Sequence, residues 1–326
     1  MPTLRILLAL GVVATLRLGA QDELVPHQKS FFSILSDNDA YVNQYIDRYY
    51  TTGTTFSFTS KEYDLSQKWL RFLSYKYDDA KLSRYDIAIH QDIYTPVSRL
   101  AQVDSKDHPY AGFLSLDFML SNRRKNSLEN LKLQLGVVGP LAMAQSVQKL
   151  VHVVTNNPIF YGWDQQIKNE FIVNFHYEYI YKYDLLDTPY FGMDILPALK
   201  VALGNANTFL GAGGRIRMGY NLHSDFGVDK INTSFMGSKP FNDDFSLYVF
   251  GGVLGSYVAR DMFIQGNSFG NPTELDLMHF LYDVELGIAL LYKGFRFSYV
   301  VTHQSKQFIE QPKGHNIGSI MLNFAF

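Results

Sequence analysis

Gln148 and His152 stand four residues apart in the run Leu141–Val154, LAMAQSVQKLVHVV. On an α-helix that spacing puts both side chains on one face. An imidazole titrates near neutral pH and can take a proton from water, so His152 is a candidate general base. Gln148, one turn earlier, can fix the tautomer, a substrate or a bound water. Far upstream, Ser36-Asp37-Asn38-Asp39 brings amide and carboxylate oxygens, donors suited to a hard cation such as calcium or to orienting a nucleophilic water. The same residues also make an ordinary polar turn. Thr51 adds a hydroxyl, on a stretch where Thr51, Gly53, Thr55 and Ser57 share what reads as the inward face, opposite Thr52, Thr54, Phe56 and Phe58. In an ideal strand Asn38 and Asp39 face opposite sides, so both point inward only if the strand ends or bulges there. The chain holds no cysteine, no Gly-x-Ser-x-Gly elbow and no His-Glu-x-x-His pattern, which removes the thiol and leaves an elbow serine or a zinc protease without support. An activated water, assisted by a metal, is the more natural hydrolytic mechanism. Trp163, between Gly162 and Asp164, reads as an interfacial anchor or a loop clamp.

The elements that must hold these groups follow from periodicity. Leu131, Leu133, Leu135 and Val137 alternate with polar or small residues as in a strand with one apolar face, and Gly139-Pro140 stops it. From Leu141 to Val154, Ala144, Val147, Leu150/Val151 and Val154 recur at three- and four-residue steps, which reads as the buried stripe of a helix, with Gln145, Gln148 and His152 on a second line. Asn156-Asn157-Pro158 ends it. Segments of roughly ten residues alternate apolar with polar along the rest of the chain, the pattern of a transmembrane β-barrel. About twelve are predicted, at 29–39, 50–60, 83–93, 110–121, 130–138, 168–183, 190–204, 207–220, 245–260, 279–292, 294–304 and 315–326. In the last, Phe326, Phe324, Leu322, Ile320 and Gly318 share one face and the chain ends on Phe. Elsewhere the second faces are charged: Glu170 and Glu178 oppose Phe171 and Tyr177, Arg215 and Arg217 oppose Ile216 and Met218, and Asp283 and Glu285 oppose Tyr282 and Val284. In lipid the aromatic face would be outside and the charges inside.

The 326 residues carry a net charge of −2, 47% hydrophobic and 15% aromatic residues, with 22 Tyr and 25 Phe. No charge block favours nucleic acid. Residues 1–20 read as an export signal, with Arg5, the apolar core Ile6–Leu16 and Leu18-Gly19-Ala20 in the expected order. Past residue 20 no apolar run approaches the ~20 residues of a membrane helix. Residues 21–326 are therefore read as one all-β domain, a transmembrane antiparallel barrel with a short helix in an extracellular loop, rather than a soluble lipocalin-like barrel. With both termini periplasmic, the connections after strands one, three and five lie on the outer rim. They hold the Asn38-Asp39 turn, the stretch from Gln91 to Gly112 and the helix of His152.

SDNDAY, DRYYTTG, HQDIYTP, DHPYAG and LGVVGPLAMAQSVQKLVHVV…YGWDQQIKNE, in order across residues 36–170, resemble the lipid A 3'-O-deacylases of the Gram-negative outer membrane, commonly called LpxR. The terminal strand extends the likeness to the chain's end. The resemblance implies a twelve-stranded barrel in the outer membrane that removes the 3'-acyloxyacyl chain from lipid A in the outer leaflet, with calcium required. By position it implies His152 as the base that activates water, Gln148 as its partner on the helix, Asn38 and Asp39 as the pair beside the metal, and Thr51 as the hydroxyl opening the second strand. Its partners would be lipopolysaccharide and the barrel assembly machinery, with the chain a monomer. Two positions depart from the pattern. Pro158 stands six places after the histidine where the family has an acid, and a Lys-Arg pair that would contact phosphate or sugar is represented only by Arg99, the expected substrate contact. A phospholipase with a serine beside the histidine, or a non-enzymatic porin-like or binding barrel, are the alternatives.

Overall fold

The computed structural model describes residues 24–42, 48–64, 81–230 and 235–326. The expected export signal lies outside the described residues. Twelve long antiparallel strands form one closed sheet: β1 Phe31–Asn38, β2 Tyr49–Thr59, β3 Leu82–Thr95, β4 Ala111–Arg123, β5 Ser127–Val138, β6 Glu170–Tyr181, β7 Gly192–Gly204, β8 Asn207–Tyr220, β9 Ser246–Asp261, β10 Phe280–Tyr292, β11 Phe295–Gln304 and β12 His315–Ala325. Tyr183–Asp187 continues β6 along the edge of β7, and Tyr63–Asp64 adds a two-residue pairing to β3. The circle closes where β1 pairs β12, from Phe31 opposite Ala325 to Asn38 opposite Gly318. Closure leaves no unpaired edge, which a spanning sheet in lipid requires.

Alternation sets the two faces. Along β3, Asp86, Ala88, His90, Asp92 and Tyr94 point into the barrel and are buried, while Tyr85, Ile87 and Ile89 are exposed. Phe56, Phe58, Phe118, Phe171, Phe175 and Phe324 are exposed on the same outer surface. Inside, charges answer one another across the sheet. Arg217 binds Asp194 through two nitrogens at 2.9 and 2.6 Å and also pairs Asp225; Arg296 reaches Asp225 at 3.0 Å, and Arg215 pairs Glu285. Such pairs offset the cost of burying charge only when donors and acceptors are matched, as they are here.

Both ends of the lumen are filled. At the end bearing the termini, the connection between β8 and β9 folds inward: Phe226, Phe235 and Phe241 pack on Leu128, Ile180, Leu196, Ala198 and Leu254. At the opposite rim the short helix α2, Met262–Gln265, buries Met262 and Phe263; the Phe263 ring stacks on Tyr94 at 4.4 Å. A cavity of about 120 Å³ remains between them.

Candidate active site

Helix α1 covers Ala144–Thr155 in the connection between β5 and β6. It lies against the outer surface of β3 and β4, near the rim opposite the termini. Gly139, at φ +96, turns the chain out of β5, a conformation open mainly to glycine; its N–H donates to Gly112 O at 2.9 Å. Gly112 gives the helix its seat, because a Cβ there would strike Ala144. Gln91 Nε2 donates to Ala142 O at 2.7 Å. Ile93, an outward residue of β3, is thereby buried with Tyr110, Ala144, Phe160 and Trp163. Each of these apolar groups contributes about 1.5–3 kcal/mol where it leaves water.

The helix is rotated from the sequence expectation: of the predicted stripe, Ala144 is buried and Val147 packs partly against the wall, but Leu150, Val151 and Val154 are not covered. Ala144, Gln148 and His152 form its buried stripe, while Leu150, Val151, Val153 and Val154 are exposed. The periodicity correctly locates two faces, but on the outer wall of a membrane barrel the apolar face belongs to lipid and the polar one to protein.

Between helix and wall lies an open cavity of about 710 Å³. Its lining includes Asn38, Asp39, Thr51, Arg99, Gln148 and His152, all six residues singled out from sequence. Thr51 does not take the inward face expected of it, and Asn38 and Asp39 share one side, outside the lumen, because the strand ends there; two local irregularities explain it. β1 ends at Asn38, whose side chain caps a 3-10 turn over Asp39–Tyr41 by accepting Ala40 N–H at 2.7 Å; that turn brings Asp39 to the outer cavity beside Asn38. In β2 the register with β3 shifts between Tyr50 and Thr52, leaving Thr51 as the extra residue. A bulge of this kind re-aims side chains. Tyr50 points inward, its hydroxyl donating to Asp37 and Asp92 at 3.3 and 3.0 Å, and Thr51 points outward, 2.6 Å from the Thr95 hydroxyl.

His152 Nδ1 lies 2.6 Å from Pro158 O. A carbonyl only accepts, so Nδ1 carries the proton and the neutral ring has its lone pair on Nε2. The position where the family pattern has an acid thus still supplies an oxygen to the imidazole, from the backbone. Asn156, at φ 55, ends α1 and its N–H returns to His152 O and Val153 O, which lets the chain double back to put Pro158 there. Phe160 meets the His152 ring edge-on at 5.8 Å, and the Arg99 guanidinium lies 5.4 Å from the centroid of the same Phe160 ring. Asp39, 2% exposed, accepts Arg48 N–H at 3.0 Å through Oδ2. Gln148, 4% exposed, accepts the Trp163 indole N–H at 2.8 Å. Trp163 is 2% exposed and clamps a loop; the interfacial-anchor reading does not hold. Sequence reasoning did not find the Pro158 carbonyl, nor Gln91 and Ile93 as part of the helix seat.

As a donor set, the amide of Asn38, the carboxylate of Asp39 and the hydroxyl of Thr51 are all oxygen, with a single carboxylate. That set fits a hard cation completed by water and substrate oxygens, and not a metal that seeks thiolate or imidazole. Among the described residues no group of three or more His, Asp or Glu side chains could hold a metal.

A family model described as "Outer membrane protein LpxR" matches residues 5–326. A comparison with curated protein sequences finds no match. Among solved structures, LpxR from Salmonella typhimurium superposes with a TM-score of 0.75 at 20% identity, covering 91% of this chain and 100% of that one; at this identity the likeness is one of fold. The translocator domain of the autotransporter NalP from Neisseria meningitidis is more distant, with a TM-score of 0.40 at 9% identity over 94% of this chain and 90% of that one.

Proposed function

The chain belongs to the LpxR family of outer membrane proteins, and from that premise we propose that it is a calcium-dependent lipid A 3'-O-deacylase working at the extracellular rim of its barrel. The observation that carries this reading is the convergence of Asn38, Asp39, Thr51, Arg99, Gln148 and His152 on one cavity of the outer wall. A lumenal site would suit a diffusing solute. A site on the outer wall, under a helix whose exposed face is Leu150, Val151, Val153 and Val154, suits a substrate already in the leaflet.

In this mechanism His152 Nε2 accepts a proton from water as the water oxygen attacks the ester carbonyl carbon. The imidazolium keeps its Nδ1–H on Pro158 O, so charge forms without reorientation of the ring. The tetrahedral intermediate then expels the 3' oxygen, which takes the proton back from Nε2. The products are the free acyloxyacyl acid and a lipid A with a 3'-hydroxyl. Gln148, as an amide donor on the cavity lining, stabilises the carbonyl oxygen as it gains charge. Asn38, Asp39 and Thr51 would hold the calcium, which when bound supplies positive charge to that same developing oxyanion. Arg99, braced on Phe160, is placed to contact a phosphate or sugar oxygen.

The test is mass spectrometry of lipid A from cells expressing the chain, beside a His152→Ala strain and with calcium present or chelated. Loss of one acyloxyacyl unit, absent in the variant and on chelation, is the expected result. An unchanged spectrum from well-folded wild-type protein would sink the reading; activity that survives chelation would remove calcium from it.

A further inference from the structure

Trp163 sits behind the cavity, in the connection that follows α1, packed against Tyr110 with ring centroids 4.9 Å apart. Its Nε1–H donates to Gln148 Oε1 at 2.8 Å. An indole N–H can only donate, so the contact settles which end of the amide is oxygen. It leaves Gln148 Nε2 as the other end, and that nitrogen is buried with no hydrogen-bond partner in the protein. A buried donor left unpaired is costly, and natural proteins keep few of them. Gln148 also lines the cavity.

We propose that Trp163 is a positioning residue for the deacylation: by holding Gln148 Oε1, its indole turns the amide NH2 into the cavity, toward the ester carbonyl oxygen. The inference rests on the deacylase reading. The asymmetry of an amide is what makes the indole matter. A glutamine free to flip would offer the growing oxyanion a lone pair of its own, which repels, for half of its orientations. Trp163 removes that half. Its place in the motif YGWDQQ, fifteen residues past Gln148, reflects that task. The packing of Tyr110 and Phe160 around it keeps the indole from following the amide if it moves.

The experiment uses the full chain in detergent with two readouts. The sequence has two tryptophans, Trp69 and Trp163, so Trp69→Phe leaves a single indole N–H for 15N NMR. Gln148→Leu should then shift the Trp163 indole proton upfield as its acceptor disappears; an unmoved signal overturns the hydrogen bond whatever the activity. The kinetic arm compares Trp163→Phe with the parent on lipid A. The expected loss is about 10–100-fold in kcat with little change in KM, smaller than the ~10²–10³ for deleting an oxyanion donor outright. In a Gln148→Leu background the same Trp163→Phe change should have no further effect. A Phe variant with parental kcat, or losses that multiply in the double variant, would show that the indole only packs. If Trp163→Phe does not fold, Gln148→Glu supplies the kinetic test: it keeps the acceptor for the indole and puts a carboxylate in place of the donor, so kcat should fall while the indole signal stays. A parent chain inactive on lipid A would instead overturn the deacylase reading, with the indole signal still deciding the contact.

Discussion

The barrel has two polar regions, and they are built on opposite terms. In the lumen, charge faces charge: Arg217 with Asp194 and Asp225, Arg296 with Asp225, Arg215 with Glu285. The groove between α1 and the outer wall carries fewer charges, with one imidazole, one carboxylate and the Arg99 guanidinium set among amides and hydroxyls around about 710 Å³ of space. These lumenal ion pairs are spent on one another and tie the strands together across the barrel. The groove's groups are fixed by partners behind them, Pro158 O behind His152 and Trp163 behind Gln148. That fixing sets the orientation of the imidazole and of the amide beside the cavity. The difference separates polar residues that hold a fold from polar residues held by one.

That contrast can be broken by single substitutions. His152→Ala should reduce deacylation by about 10²–10⁴, the range for a lost general base, with thermal unfolding unaltered; loss of stability in parallel would make His152 a structural residue after all. Arg217→Ala should do the reverse. It strands Asp194 and leaves Asp225 with Arg296 alone as its cation, at a cost on the order of 3–5 kcal/mol, while activity per folded molecule stays at the parental level. A specific kinetic defect at full stability would mean that lumen and groove are coupled. Next in size is Val154→Asp on the exposed side of α1. A charge facing lipid costs from ~1 kcal/mol near the interface to several deeper in, so turnover in outer-membrane vesicles should fall severalfold and recover in detergent. Equal activity in both would place that face in water.

These expectations also show what was legible before the structure. A period of two is visible in any sequence, so all twelve strands fall within a few residues of their predicted positions, down to the terminal one, which ends at Ala325. What alternation cannot reveal is which solvent a face meets. Val147, Leu150 and Val154 mark a stripe on α1 whether it faces a core or a lipid, and the buried reading was the soluble-protein default. The inward reading of Thr51 failed for a different reason: one extra residue there reverses parity, and it is decided by backbone pairing with the neighbouring strand. Pro158 looked like the loss of a functional group because a sequence displays side chains, whereas the oxygen that meets His152 belongs to the main chain.

The smallest effect concerns the seal between the two regions. His108, in the connection between β3 and β4, is 1% exposed, stacked on Tyr94 at 5.5 Å and beside Tyr49 and Phe308. Its Nδ1–H donates to Pro109 O at 2.7 Å. Burial pushes its pKa down to about 4, against the hydrogen bond to Pro109, which raises it, with His315 nearby lowering it further. The folded chain therefore keeps His108 neutral where the unfolded chain would protonate it. The stability this contributes is complete above about pH 6.5 and is lost as pH falls from there toward 4. Between pH 7 and pH 6 the loss amounts to roughly 1 kcal/mol at most. Since other groups titrate over the same range, the measurement is a difference: the drop in unfolding midpoint from pH 7 to pH 6 should be smaller in His108→Phe, which keeps an aromatic ring in the stack and removes the titration. Identical drops in the two proteins would mean that protonated His108 finds room at the rim, and that the lumen is less firmly closed off from the groove than its packing implies.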